Sequence, residues 1–392
     1  MKEIYLYSQK GGWFDEEGIY LFDKPVFSLE YKNNRTYLNG KYIPLINPID
    51  LTEKLINEYK LYGVGYISYN YGKSLVLGKS YPQRRDINIP DIYILFFRKF
   101  KNINTGIKGI KQNVKALKIN TKKEDFIKKV LKIKEYIESG DIYQVNLTHR
   151  IDLEGAFYPK EAFFKTIDIQ KTPYLMLIRG KDFSVLSASM ELFLEKKGNL
   201  IKTKPIKGTR ARGNTEKEDK VLFEELKNSP KEIAENLMIT DLMRNDLGKI
   251  SKKVYVDTLF EVEKYSTLYQ MSSTVIGVLK DNISLRKIID NTFPPGSITG
   301  APKKRAMEII GELEDFERSV YCGATVLIKP NLDFTMSVAI RQSIFKDNKC
   351  YIYVGSGIVY YSNPKDEYKE TLIKAKANLK ALGLDIDLEK IY

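Results

Sequence analysis

The chain has 392 residues, 43% of them hydrophobic, enough to bury one large core or two average ones, so dominant disorder is excluded. Its 64 Lys and Arg against 50 Asp and Glu leave a formal charge of +14, which suits anionic partners in general: nucleic acid, an anionic membrane or a small acidic metabolite. Two cysteines, Cys322 and Cys350, and one histidine, His149, cannot make a Cys/His zinc site, and no apolar run approaches the ~18 residues that a membrane span needs.

Up to about residue 120, apolar–polar alternation predicts short strands at Ile4–Tyr7, Ile19–Phe22, Gly63–Tyr69 and Ile92–Phe97, with a helix near Leu51–Leu61. Phe126, Val130, Ile133 and Ile137 then recur at helical spacing between Lys122 and Gly140. Gly140 ends that helix and a strand begins at Ile142–Leu147. Strands follow at Tyr174–Ile178 and Phe183–Ser187, helices at Lys217–Asn228 and Lys231–Arg244, and a mainly extended stretch at Ser266–Leu279. Beyond a Gly/Pro loop, Pro302–Leu313 reads as a helix, Cys322–Ile328, Phe334–Ile344 and Tyr351–Val359 as strands, and Asp366–Leu382 as the last helix. Strands outnumber helices without regular βαβ alternation, which predicts an α+β fold. No repeat or composition break forces a division; a β-rich portion, 1–120, is expected to pack on a larger unit, 121–392.

Three constellations carry chemistry. In "FPPGSITGAPKKRAMEIIGEL", Gly296 and Gly300 allow close backbone approach, Ser297 and Thr299 offer hydroxyls, and the N–H groups at the start of the following helix suit a carboxylate or a phosphate. An ordinary capped loop would look the same. Glu235 lies on one predicted helix and Glu367 and Glu370 share a face of another. Carboxylates converging from separate helices suit Mg²⁺, although helical acids also serve simply as a solvated face. In "TKPIKGTRARG", Lys207 lies on a Pro/Gly turn among Lys204, Arg210 and Arg212, whose field would favour its neutral, nucleophilic amine; simple solvation is the alternative.

Six strings, "SGDIYQVNLTHR", "KPIKGTRARG", "AENLMITDLMRNDLGKI", "FPPGSITGAPKKRAMEIIGELE", "YCGATVLIKPNLDFTMSVAIRQ" and "GSGIVYYSNPKDEYKETLIKAKA", run in order over 124–382 and together resemble the chorismate-utilising enzymes. Within that family the lysine of PIKGT resembles the aminodeoxychorismate synthases, whereas the anthranilate synthases look like PIAGT. The resemblance implies two antiparallel sheets packed together with helices outside. It implies Mg²⁺-dependent amination of chorismate at C4, in which the Lys207 amine attacks C2, the C4 hydroxyl leaves, and ammonia then displaces the lysine.

Carried over residue by residue, Glu235 and Glu370 match the Mg²⁺ ligands and Glu367 an acid close to the metal. Glu191 matches a glutamate for acid/base work near C4 or for positioning the nitrogen nucleophile. Arg341 and Lys374 match carboxylate binders, joined by backbone N–H groups of Gly296, Ser297, Thr299, Gly300 and Ala301, with Thr209, Gly355 and Gly357 as further substrate contacts. The chain departs from the family pattern twice. Gln270 stands where a histidine linked to hydroxyl departure is usual, and glutamine cannot donate a proton as imidazolium does. Met190 and Leu192 replace the usual Pro and Arg around Glu191.

No GxCxG elbow is present, so ammonia is expected from a separate glutamine amidotransferase subunit or from free ammonium. The start, MKEIYLYSQKGGW, has no apolar leader segment, and a reduced, cytoplasmic setting is expected, with no membrane partner. No basic stripe interleaved with aromatics appears, so no nucleic-acid partner is expected. Anthranilate formation, isochorismate or salicylate formation, and a catalytically dead chorismate binder are the alternatives.

Overall fold

Alternation gives a strand two faces, and what lies across each face decides which is buried. The computed structural model describes residues 2–78, 81, 85–104, 112–265 and 268–388, and in it the strands form two antiparallel sheets. Among the described residues the first sheet has ten strands. Their order is Gly300–Ala301, Gln144–Ala156, Lys349–Ile358, Gln342–Lys346, Phe183–Ser189, Tyr174–Arg179, Glu3–Ser8, Gly18–Phe22 and Lys101–Ile103, with Asn113–Ile119 also paired to Gln144–Ala156. The second has twelve, running from Ile206–Ala211 through Leu268–Leu279, Leu200–Lys204, Leu192–Lys197, Phe334–Val338, Ala324–Ile328, Tyr62–Ile67 and Ile92–Phe97 to the hairpins of Phe27–Ile43, with Ser251–Lys264 also paired to Leu268–Leu279. The α+β fold expected from the sequence is the one observed.

The core lies between the sheets. Phe22 meets Phe97 at 5.3 Å and Phe183 meets Tyr93 at 5.1 Å, each pair joining one sheet to the other. Each large side chain buried in this way contributes roughly 1.5–3 kcal/mol. Trp13 is 1% exposed and satisfies its indole N–H on the Leu175 carbonyl, so its ring adds area without stranding a polar atom. The chain before residue 120 supplies strands to both sheets, through Glu3–Ser8 against Tyr174–Arg179 and Tyr62–Ile67 against Ala324–Ile328.

Most predicted elements are present with ends shifted by a few residues. Tyr69, expected in a strand, opens the helix Tyr69–Leu77, capped by the Ser68 hydroxyl. The single strand expected over Phe334–Ile344 is two: Phe334–Val338 lies in the twelve-stranded sheet and Gln342–Lys346 in the ten-stranded one. The chain crosses between them at Ala339–Arg341, where Arg341 takes φ +51°. Neither glycine nor proline stands at that corner, so no turn residue marks it. Ser266 and Thr267, predicted as extended, lie outside the described residues.

Two helices frame the gap between the sheet edges. Pro230–Ile250 packs on Leu268–Leu279 of the twelve-stranded sheet, and Pro364–Ala381 packs on Lys349–Ile358 of the ten-stranded one. Both begin alike, with proline in the first turn and a polar cap, Ser229 or Asn363, accepting backbone N–H groups.

Candidate active site

Lys207 lies on a bulged edge strand, where the sequence suggested a turn. In the ladder between Ile206–Ala211 and Leu268–Leu279, Ile206 faces Ser272 and Thr209 faces Gln270, so one extra residue is inserted on the lysine's side. Gly208 makes this possible: its φ is +84°, and a Cβ there would come within 2.8 Å of Leu226 Cδ1. The Lys207 ammonium donates to the Ser297 carbonyl at 3.3 Å.

A cavity of about 450 Å³ opens between the sheet edges and the two helices. Lys207, Thr209, Glu191 and Gln270 line it from the twelve-stranded side, and Gly355 and Gly357 from the ten-stranded side. Arg341 comes from the corner between sheets and Ser297 from the loop before the Lys303–Leu313 helix. Glu235 projects from one helix, and Glu367, Glu370 and Lys374 from the other. Gly296, Thr299, Gly300 and Ala301 do not line the cavity. Thr299 turns its hydroxyl to the Pro295 carbonyl, and Gly300, with φ +144°, lies so close to the Gln144 backbone that a Cβ would fall 2.2 Å from its carbonyl oxygen. These residues shape the loop that presents Ser297.

The cations expected to surround Lys207 are each engaged elsewhere. Lys204 pairs with Glu263 at 2.8 Å, Arg212 with Asp219 at 2.6 Å and Arg210 with Glu232 at 3.2 Å. Of these, only Arg210 lines the cavity, together with its acid. Burial pushes the Glu191 carboxyl up to about 7, while the Ser297 hydroxyl, the Lys207 charge and the Ile206 N–H pull the other way. A carboxyl neutral to that pH is a proton donor within the same cavity as the lysine.

Gln270 is 2% exposed and directs its amide N–H at the Met190 sulfur. Arg341 donates to the Lys374 carbonyl at 2.6 Å, and burial lowers its pKa from the ordinary value. Lys374 donates to the Gly355 carbonyl at 3.1 Å and pairs with Glu370 at 2.6 Å. Two basic groups therefore stand at one side of the cavity, as recognition of a small anion requires.

Among the described residues no three His, Cys, Asp or Glu side chains form a ready metal cage. Mg²⁺ needs only one or two protein carboxylates, so the donor set still fits a hard cation. Burial raises Glu235, and neighbouring Glu232 and Glu367 add repulsion against the pull of Lys207 and Lys231. Burial also opposes ionisation of Glu370, but the Lys374 ammonium overcomes it and holds the carboxyl below its usual value. Lys231 stands 3.9 Å from both Glu235 and Glu367, a tethered cation among acids. Glu367 itself accepts from the Ser356 and Ser362 hydroxyls.

Sequence reasoning missed Lys231, Glu232, Asn146, Tyr321 and Tyr353, which also line the cavity. Lys231 and Glu232 stand one turn from Glu235 on the same helix, and Asn146 and Tyr321 fall within two of the quoted strings, whereas Tyr353 carried no signal.

Residues 99–380 match the family model of chorismate binding enzymes. The chain is 34% identical over 368 residues to aminodeoxychorismate synthase component 1 of Bacillus subtilis, covering 84% of this chain and 78% of that one. It is 39% identical over 274 residues to anthranilate synthase component 1 of Acinetobacter calcoaceticus, covering 67% of this chain and 55% of the relative, about half its length. The crystal structure of anthranilate synthase component I from Streptococcus pneumoniae TIGR4 superposes with a TM-score of 0.81 at 26% identity, over 92% of this chain and 91% of that one. A cavity lined by basic groups and acids from two helices, carried on this fold and this sequence, belongs to a member of the chorismate-binding enzyme family.

Proposed function

We propose that the protein aminates chorismate at C4 with ammonia, giving 4-amino-4-deoxychorismate. The observation that carries this reading is the Lys207 amine on its bulge, lining the same cavity as the half-neutral acid Glu191. The amine attacks C2 as the ring double bonds shift and the C4 hydroxyl departs. Protonated Glu191 donates to that oxygen, which leaves as water. Ammonia then bonds to C4, the double bonds shift back, and the C2–lysine bond breaks, returning Lys207 free. Arg341 and Lys374 hold the substrate's carboxylates. When bound at Glu235 and Glu370, Mg²⁺ supplies positive charge toward the ring carboxylate. Ammonia comes from a separate glutamine amidotransferase subunit or from ammonium in solution.

The similarity to anthranilate synthases favours a second reading, amination at C2 with loss of pyruvate. One experiment separates them: incubation with chorismate, Mg²⁺ and ammonium, followed by chromatography and mass analysis. 4-Amino-4-deoxychorismate without pyruvate is expected; anthranilate plus pyruvate would replace the first reading by the second. A hydroxylated product formed without any nitrogen source would overturn both.

A further inference from the structure

The motif "SGDIYQVN" contributes a residue that the chemistry above does not use. Gln144 opens the Gln144–Ala156 strand, is 0% exposed, and has neither its amide oxygen nor its amide nitrogen hydrogen-bonded among the described residues. Leaving both ends of a buried amide unpaired costs stability, so a group in this state calls for a reason. Its surroundings supply one. Gly357, opposite Asn146 on the neighbouring strand, lines the cavity, and the point where its Cβ would sit is 2.8 Å from Gln144 Nε2 and 3.6 Å from Lys207 Nζ. The missing side chain at Gly357 therefore leaves one small space bordered by the glutamine amide and the lysine amine. Which amide atom faces that space is exchangeable by a half-turn of the amide.

We propose that Gln144 is a positioning residue for Lys207: its amide oxygen, turned across the space left by Gly357, accepts an N–H of the amine when substrate binds. The Ser297 carbonyl, at 3.3 Å, is the first acceptor and Gln144 the second. An amine with two N–H groups held by acceptors has its lone pair directed along the remaining axis, toward the cavity. Both acceptors are uncharged, so they orient the amine without binding its ammonium form as a carboxylate would. This inference rests on the proposed nucleophilic role of Lys207.

The test compares Gln144→Met, of similar length but without an amide acceptor, with Gln144→Glu, which keeps an acceptor and adds charge. Two quantities are read: steady-state amination of chorismate, and the rate at which acetic anhydride acylates Lys207 in the substrate-free protein at one fixed pH, followed by peptide mass spectrometry. Gln144→Met is expected to lower kcat about tenfold with KM within about twofold, as loss of one orienting hydrogen bond implies. Gln144→Glu is expected to slow Lys207 acylation severalfold by pairing with the ammonium. A kcat within about twofold of wild type in a folded Gln144→Met, or unchanged Lys207 acylation in Gln144→Glu, overturns the proposal. Should the Met variant fail to fold, acylation of the Glu variant decides. If Lys207 is not a nucleophile, Lys207→Ala keeps its activity, and the acylation arm still reports whether residue 144 faces the amine.

Discussion

Gln270 points its side-chain amide at the Met190 sulfur, so two of the positions where this chain departs from the family pattern lie against each other. A thioether is a weak acceptor, and an amide is no acid. In the proposed reaction the pair leaves Glu191, next to Met190 in the chain, as the proton source on this wall. Gln270→His is expected to raise the rate of 4-amino-4-deoxychorismate formation by roughly tenfold, because it supplies a second acid at the departing hydroxyl. Turnover with saturating chorismate and ammonium checks this, and an unchanged rate would leave Glu191 as the sufficient donor.

Lys207→Ala is expected to reduce amination by roughly a thousandfold or more, as removal of a nucleophile does elsewhere. Chorismate binding in the presence of Mg²⁺, followed by calorimetry, is expected to persist, since Arg341 and Lys374 remain. Retention of full activity would remove the covalent step.

Glu191 has a pKa near 7 in the folded protein against an ordinary 4.5. Between those values the native state holds a proton that the unfolded chain has lost, so stability falls as pH rises from about 4.5 through 7. Glu191→Gln removes that dependence. Glu317, also raised to about 7, is present in both proteins and cancels in the difference. Urea unfolding at pH 5 and pH 8 is expected to show the variant gaining on the order of 2 kcal/mol relative to wild type across that interval. Parallel pH curves would contradict the assignment.

Glu370→Gln removes one of the acids proposed to hold Mg²⁺ and frees Lys374 from its partner at 2.6 Å. The Mg²⁺ concentration for half-maximal turnover is expected to rise by about tenfold or more. An isothermal titration of Mg²⁺ should weaken in step; an unchanged titration would exclude Glu370 as a ligand.

Gly208→Ala tests the bulge. The backbone at φ +84° and the 2.8 Å approach to Leu226 leave no room for a methyl group without a shift. A loss of about 2 kcal/mol in unfolding free energy is expected. Activity should fall further than stability explains, because any relaxation of the bulge re-aims Lys207. Gly40, at φ +79° with nothing within 4 Å, carries the same backbone strain without the contact, so an equal loss at Gly40→Ala would argue against a role for the approach to Leu226.

Much of the fold was legible because buried strands and amphipathic helices write their period into the chain. Ile92–Phe97 is apolar throughout and buried on both faces, so it reads as a strand from composition alone. Ser251–Lys264 is mostly exposed and rich in Lys and Glu, and its pairing with Leu268–Leu279 supplies the order that its own sequence does not announce. The corner at Ala339–Arg341 was invisible for another reason, since no glycine or proline marks the change of sheet.

By itself the sequence determined the residue types of the site: an amine between Ile206 and Gly208, acids one turn apart on helices, basic groups for a dicarboxylate, and a glycine loop. Those are local properties, and motif spacing preserves them. Only the tertiary structure decided which of them share a cavity. It paired off Lys204, Arg210 and Arg212, turned Thr299 inward, and brought Gln144 to Lys207 across Gly357. The physical reason is that the cavity gathers residues from both sheets and two helices, and strand register and helix packing fix those distances where sequence separation cannot.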